Sequence, residues 1–274
     1  MKSLYLEEYD ALVSYYDLGE GENILIYLPG LNSPAIPFFA GMVFHPLFSR
    51  YRAILIDYLG CGMSESPASF KYDMKSHAEV VLRILDHEKI SSCMVFGHSM
   101  GGTVGVYLTD IRGDLVTKLV LAESNLFPGG GVGTKWITSF SEETWIDNEY
   151  PKYIKKLRGH AREGDSHSTL IYALWRDADP RGIYLSALSL VTLPDTFHKR
   201  FYDLKIPRYF IYGEENFPTR SEEATPDTPD PEELQQYGIE PVVLPKSGHF
   251  MPVDNLQGFI NVLHNCLSKT SKRR

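Results

Sequence analysis

Cys93–Met94–Val95–Phe96–Gly97–His98–Ser99–Met100–Gly101–Gly102 is the stretch on which the reading of this chain turns. Cys93 to Phe96 is an unbroken apolar run that stops at Gly97, and a serine stands at the centre of Gly97–His98–Ser99–Met100–Gly101. The next segment, Thr103 to Asp110, carries Val104, Val106, Tyr107 and Leu108 and can pack as a helix on a sheet. A G-x-S-x-G pentapeptide between a buried strand and a helix holds its serine on a tight turn. The flanking glycines let neighbouring backbone approach where a Cβ would clash, so the hydroxyl projects at the sheet's edge. A chance pentapeptide in an ordinary turn would not require that strand before it and that helix after it.

The same pattern of compact apolar runs recurs on either side. Ile24–Leu28 stops at Pro29–Gly30, Ala53–Ile56 at Asp57, and Leu119–Ala122 at Glu123. Arg208–Tyr212 and Pro241–Leu244 resume it late in the chain. Such continuous β-rich runs suit strands buried on both faces of a parallel sheet. The N-terminal stretch reads as two short strands, one over Ala11–Tyr15, before a turn at Gly19–Glu20–Gly21. Ser76–His77–Ala78–Glu79 reads as a capping box that opens a helix with Val80, Val81, Ile84 and Leu85 on one face. A last helix spans roughly Leu256–Leu267. Strands alternating with helices over short connections predict an α/β layered fold.

Phe127 to Asp195 breaks the alternation. It is rich in aromatic residues, Trp136, Trp145 and Trp175 among them, with helical stretches at Thr169–Arg176 and Gly182–Leu190. It reads as a helical cap, residues 127–195, inserted into a core made of 1–126 and 196–274. Gly129 to Gly133 reads as a hinge at the cap's mouth, since it lacks the P-loop and dinucleotide patterns.

Composition narrows the class. The 274 residues are 43% apolar and 23% charged, ordinary globular usage. At about 150 residues per domain this allows one or two domains. No apolar run approaches the roughly 18–20 residues that span a bilayer, and Met1–Asp10 has no apolar signal core. Lys plus Arg number 27 against 35 for Asp plus Glu, a net charge of −8. An acidic chain without a basic stripe is a poor partner for nucleic acid. The basic tail Lys269, Lys272, Arg273 and Arg274 reads as a solvated end. Cys61, Cys93 and Cys266 are odd in number and far apart, without a C-x-x-C, which argues against a disulfide framework or structural zinc. The expected setting is a reducing cytoplasm, with no membrane or nucleic-acid partner, as monomer or homodimer.

These motifs together resemble the α/β-hydrolase superfamily over nearly the whole chain. Leu28–Pro29–Gly30–Leu31–Asn32 stands where that family has its oxyanion loop, with Pro29 in place of the usual histidine. Asp57 to Ser64 resembles the D-x-x-G-x-G-x-S segment, Gly97 to Gly102 the nucleophile elbow, and Lys246 to Met251 the late segment carrying the catalytic histidine. The resemblance implies a mostly parallel twisted sheet flanked by helices, with the 127–195 cap above it. It also implies a catalytic triad on this fold, with Ser99 as nucleophile and His249 as base. His98, inside the elbow, is assigned to packing, and Asp57 to holding loops.

The acid is the point of departure. Many relatives carry it three residues after the glycine that ends the seventh strand, and here Asn216 follows Gly213 at that distance. Some relatives take it from the end of the sixth strand, where this chain has Glu123. Glu123 is the assignment, with Glu214, Glu215 and Asp227 as alternatives and Asn216 as a bystander. The backbone N–H groups of Leu31 and Met100 are the expected oxyanion donors, and Trp136, Trp145 and Trp175 the expected lining of an apolar substrate pocket. No cofactor is implied. The expected activity is hydrolysis of a small carboxylic ester or thioester. A C–C bond hydrolase, lactonase, amidase or peptidase stays open, as does a non-catalytic small-molecule receptor on the same fold. Dehalogenase and epoxide-hydrolase chemistry, which uses aspartate in the resembling families, is disfavoured by Ser99.

Overall fold

The computed structural model describes residues 1–218 and 228–269. Among them an eight-stranded sheet forms the centre: β1 (Lys2–Leu6), β2 (Ala11–Leu18), β3 (Asn23–Leu28), β4 (Tyr51–Ile56), β5 (Cys93–His98), β6 (Val116–Ala122), β7 (Arg208–Gly213) and β8 (Glu240–Leu244). Their order is β1-β2-β4-β3-β5-β6-β7-β8. β2 runs antiparallel to both β1 and β4, and every pair from β4 to β8 is parallel.

The continuous apolar runs make sense once both faces are covered. Side chains alternate across a strand. Ile26, Leu28, Ile54, Val95, Leu119 and Leu121 therefore enter one core, and Leu25, Tyr27, Leu55, Phe96 and Val120 the other. The second face is covered by α1 (Ala35–Val43) and the C-terminal helix α12 (Leu256–Ser268), through Phe38, Phe39, Met42, Phe259, Ile260 and Leu263. The first is covered by α2 (Met74–His87) and α3 (Met100–Ile111), through Val80, Val81, Ile84, Leu85, Val104 and Leu108. Cys61, Cys93 and Cys266 are buried free thiols. Lys269 of the basic tail pairs with Glu240, and the rest of that tail lies outside the described residues.

Helix α2 starts before its expected cap. Asp73 is the N-cap: its carboxylate accepts from Ser76 N–H at 2.8 Å and from Ser76 Oγ at 3.0 Å. Ser76 is thus the third residue of the helix rather than its cap. A carboxylate satisfies the amide left unpaired at a helix start as well as a hydroxyl does, so the Ser-x-x-Glu pattern marks the right helix but a late start.

Between β6 and β7 the chain leaves the sheet for α4 (Val132–Thr138), α5 (Glu142–Thr144), a π-helical turn (Trp145–Glu149), α6 (Tyr150–Arg162), α7 (Ser166–Trp175) and α8 (Pro180–Val191), then α9 (Phe197–Tyr202). Ile137, Trp145, Tyr150, Ile183, Tyr184 and Ala187 form a small core within this inserted helical region. The remaining short helices are α10 (Pro231–Gln236) and α11 (Met251–Asp254).

Candidate active site

Ser99 sits between β5 and α3 at φ 53°, ψ −125°. A non-glycine residue at positive φ costs about 1–3 kcal/mol, so its surroundings must hold it there. They do so by proximity: a Cβ on Gly101 would lie 2.0 Å from the Leu28 carbonyl oxygen, and one on Gly97 2.5 Å from that of Gly101. Ser99 N–H donates to the Ala122 carbonyl at 2.8 Å, which ties the turn to the end of β6.

His249 lies in the loop after β8. Its Nε2 is 3.1 Å from Ser99 Oγ. Gly248 N–H donates to Asp254 Oδ2 at 2.9 Å, and Lys246 N–H to Glu214 Oε2 at 2.8 Å, so carboxylates brace the loop on both sides. His98 Nε2 is 2.8 Å from the His249 carbonyl oxygen. A carbonyl only accepts, so His98 carries its proton on Nε2. Burial, reinforced by the neighbouring His249, pushes His98 down to about 3, which keeps it neutral. The packing residue of the elbow therefore also holds the backbone of His249.

Glu123 follows β6, and its own φ is 48°. Its Oε2 lies 3.5 Å from His249 Nδ1, and its side chain is 8% exposed. Gly213 N–H donates to Oε1 at 2.8 Å and Asn216 Nδ2 to Oε2 at 2.7 Å. Asn216 is therefore no bystander; it holds the oxygen that faces the imidazole. The reason lies in the sheet: β6 and β7 are parallel neighbours with Ala122 opposite Ile211, so the residue after β6 meets the turn after β7. Of the other carboxylates, Glu214 is exposed and engaged with Lys246, Glu215 is exposed, and Asp227 lies outside the described residues. Asp57 accepts from Ala35 N–H at 2.7 Å and Met63 N–H at 3.0 Å, bracing two loops.

Met100 opens α3, so its N–H is among those a helix leaves without an internal acceptor. Gly30, before Leu31, packs against the elbow: a Cβ there would lie 3.3 Å from Ser99 Cβ. A cavity of about 360 Å³ opens on Ser99, His249, Glu123 and Leu31. Ile137 of α4, Ile171, Leu174 and Trp175 of α7, Phe210 of β7 and Phe250 supply its apolar wall. Of the three tryptophans only Trp175 lines it. Trp145 is fully buried in the inserted region's own core, donating to the Pro180 carbonyl at 2.9 Å. Trp136 is 38% exposed and packs edge-on against Phe140 and Trp145. Gly131 and Gly133 of the glycine-rich stretch border the cavity, a role its glycine spacing does not announce.

A model of the family described as alpha/beta hydrolase fold matches residues 23–141, the segment from β3 past α4. A carboxylesterase from Nitrososphaera gargenis superposes with a TM-score of 0.79 over 97% of this chain and 98% of its own, at 15% identity. This is an α/β-hydrolase-fold protein. At that identity the likeness is one of fold. Among curated relatives, haloalkane dehalogenase 2 of Mycobacterium tuberculosis is 29% identical over 123 residues, 45% of this chain and 42% of the relative. The 2-hydroxymuconate semialdehyde hydrolase of Pseudomonas putida is 35% identical over 132 residues, 47% of this chain and 44% of the relative. These matches thus span less than half the length of the relatives. Among the described residues, no helix is long and apolar enough to cross a membrane.

Proposed function

We propose that this α/β-hydrolase-fold protein is a serine hydrolase that cleaves a small carboxylic ester or thioester through an acyl-enzyme. The observation that carries the reading is the chain of contacts from Glu123 Oε2 to His249 Nδ1 at 3.5 Å and from His249 Nε2 to Ser99 Oγ at 3.1 Å. A carboxylate facing Nδ1 favours the tautomer with its proton there, which leaves the Nε2 lone pair on the serine hydroxyl.

In the proposed mechanism Ser99 Oγ attacks the acyl carbon as His249 Nε2 takes its proton. The carbonyl oxygen becomes an oxyanion held by the Leu31 and Met100 N–H groups. Glu123 stabilises the imidazolium without taking its proton. His249 then protonates the leaving alcohol or thiol, and the acyl group stays on Oγ. Water activated by His249 reverses these steps and releases the acid. Donors fixed at the oxyanion are each worth about 2.7–4 kcal/mol in such reactions.

The serine also separates this reading from halide displacement. A carboxylate nucleophile would form an alkyl ester that water reopens, whereas Ser99 would form an alkyl ether, which has no carbonyl for water to attack. The helical segment 127–195 serves as the cap in this reading, and its apolar wall over Ser99 suits a compact, largely apolar acyl or alcohol group.

The test is hydrolysis of short p-nitrophenyl esters by the wild type and by Ser99→Ala. The expected loss of kcat is about 10⁴–10⁶-fold in a variant that melts like the wild type. Turnover within a few-fold of wild type in a folded Ser99→Ala protein would remove the serine mechanism.

A further inference from the structure

Leu31 borders a second, much smaller cavity, about 10 Å³ for a water-sized sphere, whose wall also includes Met100, Asn32, Tyr58 and His77. Roughly 10–15 Å³ by this measure is room for one water molecule. Asn32, Tyr58 and His77 are 4%, 2% and 2% exposed. Among the described residues, Asn32 Nδ2 and Oδ1, the Tyr58 hydroxyl and His77 Nδ1 are buried without a protein hydrogen-bond partner. A buried polar group left unmet costs about 1–3 kcal/mol.

Ser186 Oγ is 3.1 Å from the Tyr72 carbonyl oxygen and donates its proton there. It therefore accepts from His77 Nε2, 3.2 Å away, so His77 carries its proton on Nε2 and Nδ1 is a bare acceptor. Burial pushes His77 down to about 3, keeping it neutral, and pushes the Tyr58 phenol up, keeping it a donor. The residues lining the cavity thus carry two kinds of unmet donor, Asn32 Nδ2 and Tyr58 O–H, and two unmet acceptors, Asn32 Oδ1 and His77 Nδ1. A water molecule brings two hydrogens and two lone pairs, the complementary set.

We propose that this cavity binds one structural water, which ties Asn32 to Tyr58 and His77 and so fixes the Leu31 N–H toward Ser99. Asn32 is a positioning residue in this account, which rests on the oxyanion role proposed for Leu31 and Met100. Its backbone takes φ 50°, in the tight turn closed by Ser33 N–H to the Gly30 carbonyl at 3.2 Å. Asparagine tolerates that left-handed conformation, and an anchored side chain keeps the preceding peptide from rotating. Tyr58 follows β4 and His77 belongs to α2, so the water joins the oxyanion loop to two other parts of the fold, and through His77 Nε2 to Ser186 of α8.

A crystal structure of the wild type at a resolution that shows ordered water tests the site directly. The expected result is one ordered water within hydrogen-bond distance of Asn32, Tyr58 and His77. A cavity without density, or an Asn32 amide bonded to protein atoms instead, overturns the proposal. This readout does not depend on activity, so it stands apart from any failure of the serine-hydrolase reading. The positioning claim is tested with Asn32→Leu, and with the milder Tyr58→Phe should the first not fold. With Asn32→Leu, kcat for ester hydrolysis is expected to fall about 10–100-fold with KM nearly unchanged, a displaced oxyanion donor rather than lost substrate binding; Tyr58→Phe should give a smaller loss of the same kind. Unchanged kcat in a variant that has lost the water would overturn the positioning claim.

Discussion

Gly101, two residues after Ser99 in α3, and Gly133, on the wall of the cavity over Ser99, stand under opposite constraints. A Cβ on Gly101, close to Ser99, would fall 2.0 Å from the Leu28 carbonyl oxygen, while a Cβ on Gly133, at the start of α4, would have nothing within 4 Å. On the sheet side the backbone of three segments converges on Ser99, and that crowding holds the serine at its positive φ. On the α4 side a side chain can be added without moving a neighbour. The chemistry is thus built where the fold tolerates no change, and the pocket's shape is set where change is cheap. A fold organised this way can alter the lining of its cavity while leaving Ser99 in place.

The largest expected effect lies on the crowded side. Glu123→Gln keeps the shape and removes the charge facing His249, and kcat should fall about 10²–10⁴-fold with little change in KM. Wild-type kcat in Glu123→Gln, or the same loss from Glu214→Gln, would move the acid elsewhere. Gly101→Ala should cost about 3 kcal/mol in urea unfolding, or prevent folding, because the added methyl meets backbone rather than a movable side chain. Asn216→Ala should cost about 10-fold in kcat, the scale of one hydrogen bond to a charged group. No effect would show that Gly213 N–H alone fixes Glu123. Gly133→Ala closes the series from the open side: stability should stay within about 1 kcal/mol of wild type, shifted upward by the better helix former. A loss as large as that of Gly101→Ala would erase the contrast between the two walls.

How much of this was legible depended on the range of the signal. The elbow could be read because strand, glycines and helix start are adjacent in sequence. The sheet could be read because burial on both faces leaves unbroken apolar runs such as Leu25–Leu28. Glu123 was legible as a carboxylate at a strand's end. The part played by Asn216 was not, because the contact at 2.7 Å depends on β6 and β7 being neighbours despite the helices inserted between them. The pocket wall was the least legible. Aromatic content marks a region that packs, but not which ring faces the cavity. Trp145 went into the inserted region's own core, and lining fell instead to Ile137, Leu174 and Phe250.

The central claim is that Ser99 is an activated nucleophile, and covalent capture reads that whatever the natural substrate is. The folded protein is treated with a fluorophosphonate probe and the modified peptide is located by mass spectrometry, with Ser99→Ala alongside. The account predicts one phosphonyl adduct, on Ser99, and none in the variant. A folded wild type that stays unlabelled, or a Ser99→Ala protein that labels equally, would contradict it.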